Sequence, residues 1–157
     1  MSSTPVDLVG LVRMLIGTFQ RSHPTANIEL SLARGLVALP RAVDPDAFAI
    51  VLNNLLENAC RYGTPGGLIT VTLEVDGIII VENGVPHPLE LELDVYRQRF
   101  KRGHSTQPGS GLGLAIVDRL MMQMNGTMQL SLEESETGEN RFRCTLLFPA
   151  SPASTSA

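Results

Sequence analysis

Apolar positions along the chain switch between two periods. Leu8, Leu11, Val12, Leu15, Ile16 and Phe19 recur at helical spacing, so the first segment is predicted to be an amphipathic helix. Pro5 and Asp7 stand near its start and Pro24 lies beyond its end. Asn27 to Leu32 alternates and reads as a strand, with a second short strand expected over residues 36–39. Asp44 is placed as an N-cap with Pro45 at the first helical position, opening a helix whose apolar stripe is Phe48, Val51, Leu52, Leu55 and Ala59. Ile69, Val71, Leu73 and Val75 then alternate with polar residues, and Asp76-Gly77 separates them from an apolar run, Ile78 to Val81. That pattern predicts a tight hairpin whose second strand is central in a sheet. From residue 86 to residue 111 the periodicity fades into a long loop carrying one short helix; loops of that length inside a domain are usually functional or mobile. "GLGLAIVDRLMMQMNG" predicts a third helix, stopped at Asn125-Gly126, and "TMQLSL" and "RFRCTLLF" a closing hairpin. Residues 150–157 are small and polar and read as a disordered tail.

Strands cluster and helices cluster, which predicts an α+β two-layer sandwich with a mixed sheet and three helices on one face. At 157 residues the chain is one domain by length, assigned to residues 1–149, and its 43% hydrophobic content suits a packed core. The net charge of −4 comes without a basic cluster, so nucleic acid is not an expected partner. Cys60 and Cys144 stand apart from any metal-binding spacing, which argues against a zinc site and fits a reducing compartment. No apolar run reaches membrane-spanning length and no signal-peptide pattern opens the chain. The chain is expected to be the soluble part of something larger.

The second helix carries an unexpected load of asparagine in "LNNLLENACRYG". Asparagine is a poor helix former, because its amide competes for backbone hydrogen bonds. Asn54, Asn58 and Arg61 stand at i, i+4 and i+7, on a shoulder beside the apolar stripe. Neutral amides offer oxygens to a hard cation, and an arginine one turn on can meet a phosphate. A solvated helix edge explains the same pattern equally well. "GSGLGLAIV" sets glycines before a helix start, which allows close backbone approach and aims free N–H groups at an anion; a hinge is the plain alternative. "VENGVP" at the end of the buried strand reads as a turn.

In this order and at these separations the pieces resemble the ATP-binding catalytic domain of bacterial sensor histidine kinases, within the Bergerat-fold family that includes gyrase, Hsp90 and MutL. "NLLENACRY" resembles its N box, "VENG" its first glycine box, "RFKRG" the box around a phenylalanine, and "GSGLGLAIV" its second glycine box. The resemblance spans essentially the whole chain and implies a set of roles. Asn58 would hold the Mg²⁺ bridging the phosphates of ATP, with Asn54 assisting. Arg61 and Arg102 would approach the phosphates, and Tyr62 would lie against the adenine. Gly84 and Phe100 would border the nucleotide. Gly109, Gly111 and Gly113 would line the triphosphate, with Ser110, Leu112 and Leu114 beside them. Residues 86–108 would form a mobile ATP lid. Two positions depart from the pattern. Glu82 stands where the family has an Asp that accepts a hydrogen bond from the adenine amino group, and Pro86 replaces a glycine. The resemblance then makes Glu82 the adenine-reading carboxylate.

The ATP-hydrolysing branches, and the anti-sigma serine kinases, carry a glutamate general base four residues before the metal-binding asparagine. Here that position is Asn54, and an amide takes no proton at neutral pH. The histidine-kinase branch is therefore favoured, with a degenerate docking module and a stand-alone anti-sigma serine kinase as alternatives. In that branch the acceptor histidine lies on a separate helical hairpin. His23, His87 and His104 lack the setting of a phosphoacceptor, so the hairpin is expected elsewhere in a parent protein, with residues 1–24 following it. The implied partners are that dimerisation domain and a cognate response regulator. This chain is expected to be monomeric and cytoplasmic, and not to phosphorylate itself. The parent is expected to be a homodimer anchored in the bacterial inner membrane.

Overall fold

The computed structural model describes residues 5–85, 112–134 and 140–150, with the side chains of residues 112–114, 132 and 134 left out of the description. The expected lid, His87, His104 and nearly all of the expected tail lie outside these residues.

The first helix, α1 (Leu8–Ser22), begins where the apolar stripe begins. Asp7 caps it, accepting from the Val9 N–H at 3.1 Å. The same carboxylate oxygen accepts from the Leu39 N–H at 2.9 Å, and the Leu39 carbonyl accepts from the Leu8 N–H at 2.9 Å. This double tie creates a pairing that the sequence pattern did not disclose. β1 (Val6–Asp7) runs antiparallel to β3 (Pro40–Arg41). The short strand expected over residues 36–39 is thus shifted to the two residues that follow Leu39. At its other end α1 stops at His23, whose ring stacks on Phe19 with centroids 3.9 Å apart.

β2 (Asn27–Leu32) leads through β3 to the second helix, α2 (Pro45–Tyr62), where Asp44 is the cap and Pro45 the first helical residue, as the sequence pattern predicts. The hairpin follows as β4 (Leu68–Glu74) and β5 (Ile78–Val85). Gly77 turns it with φ +85°, and a Cβ there would strike the Phe148 carbonyl. Arg41 Nε donates to that same carbonyl at 2.7 Å, so the β1–β3 pair is tied to the body of the protein. The third helix, α3 (Leu112–Gln123), precedes the closing hairpin of β6 (Thr127–Glu134) and β7 (Asn140–Leu147).

The five-stranded sheet has the order β2-β4-β5-β7-β6. β2 and β4 are parallel and every other pair is antiparallel, so the sheet is mixed and β5 is its middle strand. One face carries Ile69, Val71, Leu73, Ile79, Val81, Cys144 and Leu146, all buried. They form one core with Leu8, Val12 and Phe19 of α1, Phe48, Leu52 and Leu56 of α2, and Val117 and Met121 of α3. Burying each of the larger side chains stabilises the fold by about 1.5–3 kcal/mol. The result is the α+β sandwich with three helices over one sheet face. No helix among the described residues is long and apolar enough to cross a membrane.

Candidate functional site

The polar shoulder of α2 survives as a structural feature. Its stripe of Val51, Leu55 and Ala59 faces the core, which fixes the rotation of the helix and turns Asn54 and Asn58 to the rim. Asn54 Nδ2 donates back to the Ile50 carbonyl at 2.8 Å. That bond commits one amide hydrogen to the helix itself, and Oδ1 is the acceptor end of the amide. Asn58 differs. Its Nδ2 is a buried side-chain polar atom without a hydrogen-bond partner. An unpaired buried polar group costs about 1–3 kcal/mol, so its retention asks for a compensating role. Tyr62, one turn further on, is half-buried and packs against the core.

Arg61 is exposed and has an interaction of its own. It lines an open pocket of about 330 Å³ together with His23, Glu57 and Cys60. His23 is held there by its stack on Phe19 and by the contact of Nδ1 with the Phe19 carbonyl at 3.1 Å. Arg61 therefore stands between two surfaces of α2 rather than on the asparagine shoulder alone. Burial, then the Glu57 charge, pushes the Cys60 thiol up from its usual value, and burial pushes Cys144 up to about 12. Neither is poised as a nucleophile. Among the described residues no three His, Cys, Asp or Glu side chains converge on a metal position. A cation at this helix would depend on amide oxygens and on its own ligands.

The exit of β5 departs from the sequence reading. The register pairs Ile69 with Asn83 and Thr70 with Glu82, so the two residues take opposite faces of the sheet. Glu82 is not on the face of α2. It points outward and its Oε2 accepts from Arg143 Nη2 at 2.8 Å and Nε at 3.2 Å, with Arg141 Nε at 3.4 Å. Glu133 approaches the same Arg143 at 3.4 Å. The cause is the two-residue period: Ile79 and Val81 face the helices, so position 82 cannot. Glu82 is in this way separated from Asn54 and Asn58 by the sheet itself.

Asn83 takes the inner position. It is 5% exposed, the only buried polar side chain among the described residues. Its Nδ2 donates to the Gly84 carbonyl at 3.0 Å, and that carbonyl also accepts from the Thr64 N–H at 3.0 Å. Gly84 thus joins the end of α2 to β5 through its backbone. Gly63, the C-cap of α2, sits directly above: a Cβ there would meet the Ala59 carbonyl and come within 2.7 Å of Asn83 Nδ2. Motif spelling passes over Asn83 and Gly63, although the alternation of β5 puts position 83 on the inner face. Phe100, Arg102, Gly109, Ser110 and Gly111 lie outside the described residues. Leu112, Gly113 and Leu114 form the first turn of α3.

Known proteins resemble this chain over most of its length. A sensor protein of Escherichia coli K12, QseC, is 29% identical over 115 residues, covering 73% of this chain and 26% of its own length. The probable sensor histidine kinase TcrY of Mycobacterium tuberculosis is 33% identical over 135 residues, covering 81% of this chain and 28% of its own. The chain therefore spans about a quarter of the length of these relatives. Among solved structures, the histidine kinase domain of the E. coli osmosensor EnvZ superposes with a TM-score of 0.60 at 28% identity, covering 96% of this chain and 92% of that one. The catalytic domain of the histidine kinase ThkA gives 0.69 at 22% identity, covering 98% and 99%, which is a likeness of fold. The model of the histidine kinase-, DNA gyrase B- and HSP90-like ATPases matches residues 43–150, from the residue before the α2 cap to beyond the last strand, and the chain belongs to that family.

Proposed function

We propose that this chain is the ATP-binding catalytic unit of a two-component sensor kinase. It passes the γ-phosphoryl group of ATP to a histidine on a separate dimerisation domain, and a response regulator takes the group from there. The observation that carries the reading is the amide pair on α2: Asn54, which gives one amide hydrogen to Ile50, and Asn58, whose buried Nδ2 finds no acceptor among the described residues and would be met by one on a ligand, such as a phosphate oxygen. Mg²⁺ fits these residues, because it takes neutral oxygen donors and keeps the remainder of its octahedron for water and phosphate. Bound there, it supplies charge neutralisation across the phosphate oxygens.

The chain's own residues do the rest. Asn58 is the first candidate to hold the ion and Asn54 Oδ1 the second. Arg61, at the end of α2, is the candidate for a phosphate contact, and Tyr62 the candidate aromatic face for the base. Arg102 and the glycine run from residue 109 to residue 113 would close on the phosphates. Phosphoryl transfer owes most of its rate to positioning and charge stabilisation, so a unit with no base at position 54 remains competent when the acceptor comes from another domain. It has no side chain at that position to activate water. The parent protein would be a homodimer anchored in the inner membrane, with this unit in the cytoplasm.

A non-catalytic docking module is the second reading, favoured by the helix face of β5 carrying the amide of Asn83 rather than a carboxylate. One titration separates the two. Calorimetry with ADP should give Mg²⁺-dependent binding, at roughly −4 to −8 kcal/mol. Asn58→Ala should lower affinity at least about tenfold in Mg²⁺ and abolish the Mg²⁺ dependence. Equal affinity with and without the ion overturns the role of Asn58. An absence of any binding favours the docking module.

A further inference from the structure

We propose that the outer sides of α1 and α2 together form a self-complementary face on which a second copy of this chain docks, in place of the strict monomer expected from the sequence. The sheet sets the two helices alike. α1 leads into β2 and α2 into β4 through short links, residues 23–26 and 63–67. β2 and β4 are parallel, with Asn27 opposite Leu68. Both helices therefore end at one edge of the sheet and run side by side in the same direction. The pocket shared by His23, Glu57, Cys60 and Arg61 fixes their level, with the cap of α1 beside the last turns of α2.

Away from the core the two helices carry ridges of identical spacing, i, i+4, i+7 and i+11. The ridge of α1 is Gly10, Met14, Gly17 and Arg21, and that of α2 is Asp46, Ile50, Asn53 and Glu57. All are exposed except Gly17, which is half-buried. Met14 and Ile50 are 58% and 47% exposed, each a large apolar side chain on an otherwise polar or glycine ridge. Arg21 donates to Thr18 at 3.3 Å, and Glu57 enters no ion pair among the described residues. A half-turn about an axis parallel to the helices lays the α2 of a second copy along this α1, and its α1 along this α2. Met14 then meets the partner's Ile50, in the low ground left by Gly10 and Gly17. Arg21 meets the partner's Glu57, Asp46 the partner's Gly10, and Asn53 the partner's Gly17. Symmetry makes each contact twice, and the 4-3-4 spacing is the one at which parallel helices interlock.

Two such ridges bury less than the roughly 800 Å² a side of a stable interface, so the dissociation constant is expected on the order of 0.1–1 mM. The homodimeric parent proposed above would hold two copies at about millimolar effective concentration, enough to populate the contact. That use of the face rests on the kinase reading; the contact itself does not. Sedimentation equilibrium of the whole chain at low salt, up to about 1 mM, should show a monomer–dimer equilibrium. Ile50→Asp, checked for folding by its thermal transition, should abolish the dimer. Arg21→Glu or Glu57→Arg alone should weaken it roughly tenfold, and the two exchanges in one chain should restore it. In a Cys60→Ser background, a mixture of Met14→Cys and Ile50→Cys chains under a mild oxidant should give the mixed disulfide in excess over like-with-like products. A chain that stays monomeric, a dimer indifferent to Ile50→Asp, a double exchange that fails to restore it, or a predominance of like-with-like disulfides overturns the proposal, whether or not the chain binds nucleotide.

Discussion

Glu82 and Asn83 are adjacent in the chain and have opposite surroundings. The carboxylate lies on the outer face among Arg141, Arg143 and Glu133, within reach of water. The amide lies on the inner face, walled by α2 and nine-tenths shielded. On the outer face charge is tolerated because it is paired and partly solvated. On the inner face a charge would be desolvated, and a neutral amide costs less to bury than a carboxylate. The polarity of a side chain in this strand therefore follows from its parity. A motif spelled by residue type alone is blind to that rule.

The contrast can be broken most sharply in the apolar part of the same strand. Ile79 is fully buried and Ile80 half-buried, again on opposite faces. Ile79→Ala should cost about 2–5 kcal/mol and Ile80→Ala less than half as much, read from denaturant midpoints. Equal losses would mean that the outer face is covered as well. Next comes the wall above Asn83. Gly63→Ala brings a methyl group against the Ala59 carbonyl and Asn83, so it should destabilise by about 1–3 kcal/mol and weaken ADP binding. Retained stability and affinity would show that α2 can shift away from β5. The smallest effect belongs to the outer cluster. Glu82→Gln should change stability by no more than about 1 kcal/mol, since Arg143 is about a third exposed, and the loss should shrink in high salt. A larger, salt-independent loss would mark the cluster as a structural core.

Where periodicity and turn chemistry agree, the fold is legible in the residues. Asp44-Pro45 opens α2 and Asp76-Gly77 turns the hairpin where expected. Alternation counts Val75 with the strand, yet the strand ends at Glu74 and Val75 is exposed at the turn. β1 and β3 are two residues each, too short for any period, and exist because Asp7 binds Leu39 across 32 positions of sequence. The parallel pairing of β2 with β4 also leaves no local trace, since it depends on where α2 returns the chain. In the site, the shoulder of Asn54 and Asn58 was legible because helix geometry places side chains three and four apart together. A motif spelled by residue type puts Glu82 in the site, whereas the alternation through Ile79 and Val81 puts Asn83 on the inner face.

The parallel register of β2 on β4 has a kinetic side. Ile28 lies opposite Ile69, so closing that pair requires 40 intervening residues, including all of α2, to be gathered in first. The β4–β5 hairpin needs only its turn. Loop closure of the longer kind is entropically slower, and contacts of large sequence separation form late. β2 is also an edge, hydrogen-bonded on one side. Assembly of this sheet is accordingly expected to leave β2 until late, and hydrogen exchange should find the amides of residues 27–32 less protected than those of β5.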